Sequence, residues 1–574
     1  MSHDEAAAHL IATNPVFATT TARIRGSDYR VFANTPAHLR DLLIRVREVH
    51  GNGADDYLSY GDERWTYDAF CAEICALAEA LRKRGIAPGD RVAIAMRNYP
   101  EMLVLFLAIS AIGGVVVFVN AWWTEDELDY AMRDSRPALI LADGPRMTRL
   151  LALKDKLGLQ LIGLRDGAGI APETYEDLRA TGLGAGWPDV AIDTDDDFAI
   201  MYSSGTTGHP KGVVLTHRGA INAVYTWLLQ SAIHKIRNPG LDDTAQSVIL
   251  VATPLFHVTA THPVFLFSLP AGARIVLMHK WDADEAVRLI RHEKVTRFMG
   301  VPTQSADLMD KARARQDPLE TLGYIGAGGA KRPSAQVGQL AQTFPEALIA
   351  TGWGMTETNA VGIGMAGPDY VDRPGACGRL FPPVQDVRFL CPQGRDVAPG
   401  EIGEITVRSP CNMREYLNKP DATAEVLQDG WLRTGDLGRI DAEGFITIVD
   451  RAKNIIIRGG ENIACLDVES ALHQHPDVAE ACVFPLPHER LGETVGALVQ
   501  LRPEATATAE ALRDFLAGHI AHFKIPEHLW MQGDPLPRGA TDKLDRRGIR
   551  QDCTDRLAAG LIDSQGGRGN ARIV

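Results

Sequence analysis

Uncharged strand-forming segments alternate with amphipathic helical segments along the first half of this chain, and this alternation constrains the fold more than any other feature. The strand-forming segments comprise residues 92–96, 115–119, 138–141 and 248–251. Residues 71–84 carry apolar positions at helical spacing and end at Gly85, and Thr124 with Glu127 predicts a capping box at a helix start. Because strands joined through helices form parallel sheets with both faces covered, the sequence predicts an α/β fold of βαβ subdomains.

The pattern changes near residue 380, where short strand-forming segments separated by turns replace the alternation. Residues 404–408 and 445–449 are such segments, and a turn at residues 441–444 precedes the second. We predict a small β-rich subdomain that completes a large N-terminal domain spanning residues 1–449. Residues 450–574 show a mixed α+β pattern and are predicted to form a second, smaller domain.

Residues 102–119 form an uncharged run of about the length that spans a membrane. Gly113 and Gly114 interrupt this run and strand formers follow, so we predict a buried helix, a turn and a buried strand, with no membrane span.

The net charge of −14 disfavours nucleic acid as a partner. The eight cysteines include no Cys-x-x-Cys pair, so neither a zinc site nor a disulfide framework is indicated. The sequence begins without the basic and apolar regions of a signal peptide, and a cytoplasmic location is expected.

A loop of hydroxyl residues, glycines and one lysine follows the predicted buried strand at residues 198–202. Its glycines allow backbone N–H groups to surround a polyphosphate, the hydroxyls add donors, and Lys211 adds a positive charge. It is not a Walker A loop, because Lys211 lies between Pro210 and Gly212 and no Ser or Thr follows it directly. The alternative is a solvated surface turn. The predicted nucleotide contacts in this loop are Ser203, Ser204, Gly205, Thr206, Thr207, Gly208 and Lys211.

The stretch from Tyr202 to Gly212 resembles the phosphate-binding loop of the adenylate-forming superfamily, which contains acyl-CoA synthetases, peptide-synthetase adenylation domains and firefly-type luciferases. Six further segments resemble motifs of this superfamily in the order that its members show, so the resemblance spans most of the chain. These segments are residues 326–330, 351–358, 431–436, 450–453, 459–463 and 536–543. The resemblance implies ATP and Mg²⁺ as cofactors, and a small C-terminal domain that is mobile.

The resemblance assigns several of these segments to the nucleoside. The glycine-rich segment would border the adenine, where the absence of side chains permits close approach. Trp353 stands where the superfamily usually has tyrosine and keeps an aromatic face for stacking on adenine. Asp436 would accept from both ribose hydroxyls, and Arg451 would make a second ribose or phosphate contact. The other implied nucleotide contacts are Gly328, Gly329, Ala330, Gly352, Gly354 and Met355.

The resemblance also assigns residues to the phosphates. Thr356 would contact the α-phosphate, and Glu357, together with Thr206, would hold Mg²⁺. Lys543 is the implied catalytic lysine, although Asp542 stands where the superfamily usually has glycine. The lysine charge is needed because an attacking carboxylate and the α-phosphate are anions that repel each other.

Two assignments concern the C-terminal domain and the second substrate. Asp450 is the implied hinge residue. Residues 459–463 resemble the loop that lines the pantetheine tunnel of acyl-CoA synthetases, where glycines leave room for a thin, flexible arm. The implied contacts with CoA are Gly459, Gly460 and Glu461.

Residues 254–257 resemble the acyl-pocket motif of acyl-CoA synthetases, which would place His257 near the substrate carboxylate or at the pocket entrance. The predicted lining segments contain no acidic residue to pair with an ammonium group, which disfavours amino-acid adenylation. They contain no basic residue for a second carboxylate either, so the predicted substrate is an apolar monocarboxylic acid, either fatty or aryl-substituted. The residues assigned to the pocket are Tyr225, Trp227, His257, Val258, Met299, Gly300 and Val301.

Together these features predict an ATP-dependent acid–CoA ligase. The acid and ATP would give an acyl-adenylate and pyrophosphate, and the thiol of CoA, as cosubstrate, would then displace AMP. Alternatives with the same fold are an enzyme that loads the phosphopantetheine of a carrier protein and a luciferase-like oxygenase. A non-catalytic nucleotide-binding protein is the alternative from another class. The sequence leaves open whether the chain forms a homodimer.

Overall fold

The computed structural model describes residues 1–50, 55–203, 210–238, 246–539 and 543–561. The predicted α/β class is confirmed, because a large N-terminal region contains two extensive sheets and a β-rich sheet, and a smaller α+β region follows. The division at residue 450 stays a prediction. Within the described ranges, none of the helices is long and apolar enough to cross a membrane.

The first sheet has seven strands, and the five on one side of it run parallel to one another. In spatial order they are Glu415–Tyr416, Lys211–Thr216, Asp197–Ser203, Val115–Phe118, Arg91–Ala95, Leu139–Ala142 and Leu161–Gly163. The first two pair antiparallel with their neighbours. The helices along this part of the chain are Tyr67–Lys83, Pro100–Ala111, Glu125–Ser135, Gly144–Leu157 and Tyr175–Ala180, with a short 3₁₀ turn at Arg165–Gly167.

The uncharged run that could have spanned a membrane is instead part of the core. Every residue of the helix Pro100–Ala111 is buried. Gly113 has a φ of +73°, which allows the turn, and the strand Val115–Phe118 that follows is also buried. The predicted helix, turn and strand are therefore confirmed. The helix shares one apolar core with strands of both large sheets, so it holds the two sheets together.

The second sheet has nine strands, of which the six central ones are parallel. In spatial order they are Arg379–Leu380, Ile363–Ala366, Leu348–Trp353, Tyr324–Ala327, Arg297–Gly300, Val248–Val251, Arg274–Leu277, Asp56–Tyr60 and Glu63–Thr66. The helices along this part are Leu39–His50, His217–Arg237, Val258–Ala260, Ala283–Glu293, Pro302–Arg315, Ser334–Thr343 and Pro368–Asp372, with a π-helical segment at Thr261–Leu266 and a 3₁₀ turn at Thr356–Thr358.

The N-terminal residues form a helix and a hairpin that pack onto the large domain. The helix His3–Thr13 begins with a capping box between Ser2 and Glu5. It lies against the helix His217–Arg237, where a ring nitrogen of His3 is 3.0 Å from Oε1 of Gln230. The 3₁₀ turn Pro15–Phe17 and the antiparallel strands Thr19–Ile24 and Ser27–Phe32 complete this segment.

The β-rich sheet and the C-terminal sheet follow in sequence. The strands of the β-rich sheet are Asp386–Leu390, Gly403–Arg408, Leu427–Gln428, Trp431–Ile440 and Ile446–Arg451, and its helix is Pro420–Val426. The strands of the C-terminal sheet are Ile455–Arg458, Glu461–Ala464, Val478–His488, Gly492–Leu501 and His528–Gln532. Its helices are Cys465–Leu472, Ala509–Ala517 and Arg546–Ala558, with 3₁₀ turns at Ala452–Asn454 and His522–Lys524.

Candidate active site

Lys211, at the end of the predicted phosphate loop, and Glu357 both contact one side chain, Tyr416. Lys211 pairs with Ser203 across two antiparallel strands, and the Lys211 ammonium lies 4.6 Å from the centre of the Tyr416 ring. The Tyr416 hydroxyl donates a hydrogen bond of 2.8 Å to Oε1 of Glu357. Two predicted motifs that are distant in sequence are therefore neighbours. The predicted contacts at Ser204, Gly205, Thr206, Thr207 and Gly208, and the atypical Asp542, lie outside the described residues.

Tyr416 belongs to no motif in the sequence, so no sequence pattern marks it as a residue of the site. Its place depends on the antiparallel pairing of Glu415–Tyr416 with Lys211–Thr216, a contact that local patterns do not predict. Burial, and then the Glu357 carboxylate, raise the pKa of Tyr416, so it remains a neutral phenol that can donate. Tyr416 thereby fixes the orientation of Glu357 next to the cation of Lys211.

The surroundings of Glu357 fit a magnesium ion that is held largely by its substrate. Glu357 is buried in the 3₁₀ turn Thr356–Thr358. Its Oε1 accepts from Tyr416, whereas no partner for Oε2 is found within the described ranges. No group of three or more His, Cys, Asp or Glu side chains in the described chain could form a metal site by itself. Because Mg²⁺ is commonly held by one or two carboxylates together with substrate phosphates and water, Glu357 and the oxygens of ATP would suffice.

The predicted adenine and ribose residues are joined by a direct hydrogen bond. The indole Nε1–H of Trp353 donates to Oδ2 of Asp436 at 2.8 Å. Arg451 pairs with Oδ1 of the same carboxylate, with 3.0 Å between Nε and the oxygen. The backbone N–H of Asp436 donates to the hydroxyl of Thr434, which orients this part of the strand Trp431–Ile440. Asp436 is therefore a buried carboxylate held from two sides, and the indole ring is fixed beside it.

Trp353→Phe tests this hydrogen bond, because phenylalanine keeps an aromatic face and removes the donor to Asp436. We expect the KM for ATP to rise on the order of tenfold, since a hydrogen bond to a charged group is lost. The measurement is the ATP dependence of pyrophosphate exchange. Trp353→Tyr, which restores the residue usual in the superfamily, is the matched variant and should stay within about threefold of the wild type. An unchanged KM in Trp353→Phe would show that the donor does not matter.

Lys543 reaches this site from the C-terminal region. A Cβ atom built on Gly329 would lie 3.1 Å from Cε and 3.4 Å from Nζ of Lys543, and Gly329 itself has a φ of +79°. Only glycine both adopts this backbone conformation readily and leaves this space. Burial, and then the Arg451 cation, lower the pKa of Lys543, and Asp436 and Glu357 partly oppose them, so that the pKa is about 8. The side chain nevertheless remains open to the solvent of the cleft.

Activity that depends on the Lys543 ammonium is expected to fall above about pH 8. Because the pKa is lowered to about 8, the charged form prevails below this pH and is lost as the pH rises through it. The value of kcat/KM for the acid in pyrophosphate exchange reports the free enzyme and should therefore decline in this range. Lys543→Arg keeps its charge, and its residual activity should show no such decline. A wild-type profile that stays flat to about pH 10 would contradict this assignment.

His257 is held as a neutral imidazole near Lys543. Burial, and then the Lys543 ammonium, lower the pKa of His257 to about 3. Its ring centre lies 4.6 Å from that of Phe256, and its Nε2 atom has no hydrogen-bond partner within the described part of the chain. A neutral ring supplies no charge for a substrate carboxylate, so His257 could contact the acid only through a hydrogen bond.

A cavity of about 1260 Å³ joins the predicted acyl pocket to the predicted adenine site. Of the residues assigned to these sites, the cavity is lined by Tyr225, Trp227, Met299, Gly328, Gly329, Gly352, Trp353 and Gly354. The assigned residues that do not line it are His257, Val258, Gly300, Val301, Ala330 and Met355. The continuous space is suited to an acyl group attached to a nucleotide, and the individual contacts stay predictions.

Arg297 lies in the wall of this cavity, which corrects the expectation of a pocket without a basic residue. The lining segment predicted from the sequence begins at Met299, two residues after Arg297. Because alternate residues of a strand point to the same face, Arg297 shares the cavity side of the strand Arg297–Gly300 with Met299. The N-terminal segment also contributes to the wall, through His3 and Phe17, and no pattern in the sequence predicts this.

The implied hinge and CoA residues lie on the C-terminal side of the site. The Asp450 carboxylate accepts from the backbone N–H groups of Arg451 and Leu466, so it ties the end of the β-rich sheet to the first C-terminal helix. Gly459 and Gly460 form the turn between the strands Ile455–Arg458 and Glu461–Ala464, both with positive φ, as a two-residue hairpin requires. This turn is exposed, and its contact with CoA stays a prediction.

Two large α/β sheets, a β-rich sheet, and a lysine of the C-terminal region that lies against Gly329 and near Glu357 and Asp436 define an adenylate-forming enzyme. Comparison with known protein families supports this class. The AMP-binding enzyme family matches residues 47–417, and the AMP-binding enzyme C-terminal domain matches residues 467–543. The chain belongs to the AMP-binding enzyme family, and the curated relatives below are AMP-forming acid–CoA ligases.

The relatives cover nearly the whole chain. Feruloyl-CoA synthase from an Amycolatopsis species is 32% identical over 497 residues, which cover 86% of this chain and 94% of the relative. A long-chain-fatty-acid–CoA ligase from Bacillus subtilis is 29% identical over 527 residues, covering 87% and 92%. Among solved structures, ATP-bound MatB from Rhodopseudomonas palustris matches with a TM-score of 0.78 at 28% identity, covering 90% of this chain and 99% of that one.

Proposed function

We propose that this protein is an ATP-dependent acid–CoA ligase for a carboxylic acid with an apolar body, either alkyl or aryl. The observation that carries the proposal is the position of Lys543, which lies against Gly329 within the field of Glu357 and Asp436. Relatives named for feruloyl-CoA and for long-chain fatty acids support both kinds of acyl body. The ATP-bound MatB structure supports ATP as the nucleotide.

In the first half-reaction, a carboxylate oxygen of the acid bonds to the α-phosphorus of ATP, and the bond to pyrophosphate breaks. Two unit charges about 4 Å apart repel by roughly 1 kcal/mol in water and about 4 kcal/mol at an effective dielectric of about 20. The Lys543 ammonium between the two anions would turn this repulsion into attraction. Mg²⁺ held by Glu357 would neutralise charge on the phosphates. No general base is needed, because the acid attacks as its carboxylate.

In the second half-reaction, the thiol sulfur of CoA attacks the acyl carbon, loses its proton, and AMP leaves with the electrons of the broken bond. We propose that residues 450–574 move as a unit about Asp450, so that the turn at Gly459 and Gly460 replaces Lys543 beside the adenylate. The exposure of this turn and its lack of side chains support a contact with the pantetheine arm.

A panel of carboxylic acids tests the function. Pyrophosphate exchange with ATP should depend on the acid, and AMP should form only when CoA is also present. Equal AMP formation with a phosphopantetheinylated carrier protein and weak formation with CoA would favour the carrier-loading alternative. Absence of exchange with every acid would contradict an adenylating enzyme altogether.

A further inference from the structure

The cavity contains a cation that the adenylation chemistry does not use. Arg297 begins the strand Arg297–Gly300, and its guanidinium lies 4.2 Å from the centre of the Tyr324 ring and 5.9 Å from that of Phe267. Gly326 provides the space for this arrangement, because a Cβ atom there would lie 2.8 Å from the Tyr324 ring. The guanidinium is therefore held between two aromatic rings at the cavity wall.

Arg297 differs from the other arginines of this wall in having no oxygen partner among the residues that the structure describes. In the described chain, no hydrogen bond or ion pair is made by its guanidinium. The other wall arginines each have an oxygen partner: Arg45 the carbonyl of Asn34, Arg237 the carboxylate of Asp369, and Arg379 the carboxylate of Asp4. Asp369 is the one carboxylate among the described lining residues, and it lies beside Arg237.

A guanidinium in such surroundings usually pairs with an anion. Transfer of a cation from water into a protein interior is costly unless it is paired or hydrogen-bonded. A contact with an aromatic ring offsets only part of that cost. His234, which also lines the cavity, adds a second unused polar group, because its Nε2 is buried without a partner among the described residues. Both groups are suited to a ligand that brings its own acceptor oxygens.

The position of Arg297 relative to the reaction centre indicates where that acceptor would lie. Val301 follows the end of the strand, four residues from Arg297, or about 13 Å along an extended backbone. Its side chain lies 3.8 Å from the Cβ position of Gly329, the glycine that Lys543 contacts. Apolar side chains of Ile249, Val264 and Met299 line the cavity. Arg297 therefore lies in a cavity wall that also includes Gly329, the glycine against which Lys543 lies at the adenylation centre.

We propose that the preferred acid carries a second carboxylate at the far end of its apolar body, and that Arg297 binds this carboxylate. The proposal rests on the proposed ligase function and narrows its substrate from any carboxylic acid with an apolar body to a dicarboxylic acid. The planar guanidinium can bind both oxygens of a carboxylate, and the Tyr324 ring fixes its orientation. Arg297 is a specificity-determining residue in this proposal and takes no part in adenylate formation itself.

The test compares decanedioic acid with its monomethyl ester, which has the same apolar body and lacks the second charge. We expect the wild-type kcat/KM for AMP formation with CoA to favour the diacid by about tenfold or more. Arg297→Gln should lower kcat/KM for the diacid by roughly 30- to 100-fold and change that for the monoester by less than about threefold. Arg237→Gln, which alters a wall arginine already paired with Asp369, should retain the preference for the diacid.

Three outcomes would overturn the proposal. One is a wild-type enzyme that uses the monoester as well as the diacid. Another is an equal fall in kcat/KM for the diacid and the monoester in Arg297→Gln, with an unchanged thermal unfolding midpoint. That result would indicate that Arg297 does not distinguish the two acids. The third is a wild-type enzyme that prefers an aryl acid with a phenolic hydroxyl over the diacid, and loses this preference in Arg297→Gln. That result would make a phenol the partner of Arg297. Failure of every acid to give AMP would instead contradict the ligase function.

Discussion

Lys543→Ala is expected to slow acyl-adenylate formation by on the order of 100- to 1000-fold, the usual effect of removing a preorganised group that stabilises developing charge. The lysine lies against Gly329 and in the field of Glu357 and Asp436. Without its ammonium, less positive charge would offset the repulsion between the attacking carboxylate and the α-phosphate. Formation of the thioester from supplied acyl-adenylate should change by less than about threefold, because that step has no such repulsion to overcome.

Pyrophosphate exchange measures the first half-reaction, and CoA consumption with synthetic acyl-adenylate measures the second. Lys524→Ala is the matched control, since this lysine of the same domain pairs with Asp467 on the surface, and both half-reactions should be unaffected. Equal loss of both half-reactions in Lys543→Ala would contradict the role given to this lysine.

Asp436→Asn is expected to lower kcat/KM for ATP by on the order of 100-fold. The substitution keeps the shape of the side chain but removes the charge, so two charge-assisted hydrogen bonds to the ribose become neutral ones. It also leaves Arg451 without the carboxylate with which it pairs at 3.0 Å. Because the asparagine NH₂ group is a donor, the indole N–H of Trp353 would lose an acceptor in one of the two amide orientations.

Comparison of ATP with 3′-deoxy-ATP shows whether the loss arises at the ribose. The wild type should discriminate against the deoxy nucleotide, and Asp436→Asn should discriminate much less. Asp396→Asn, which alters an exposed aspartate that pairs with Arg388 of the same sheet, is the control and should behave like the wild type. Retained discrimination in Asp436→Asn would exclude a direct ribose contact.

The parts of the fold that depend on local sequence could be predicted. The Thr124–Glu127 capping box is present at the start of the helix Glu125–Ser135, and the strand Val248–Val251 has the predicted bounds. Gly326 and Ala327 depart from the prediction. They belong to the predicted glycine-rich segment 326–330, but in the structure they end the strand Tyr324–Ala327. These patterns work because caps, turns and apolar periodicity act over a few residues.

The candidate site residues could be named from sequence where they lie in continuous motifs, and their roles stay predictions. Glu357, Asp436 and Lys543 carry recognisable neighbours in sequence, and the structure brings them together. Tyr416 and Arg297 carry none, and their positions follow from strand pairing between distant segments. The bond between Trp353 and Asp436 likewise depends on the packing of two sheets, which no local pattern specifies.

The N-terminal segment brings residues from outside the matched family region into the wall of the cavity. His3 and Phe17 lie in the wall of the acyl cavity, yet they precede residue 47, where the match to the AMP-binding enzyme family begins. Under the proposed function, these two residues would help to select the acid from outside the matched family region. Substitutions at these two positions would then alter the preference for the acid without changing any residue assigned to the nucleotide.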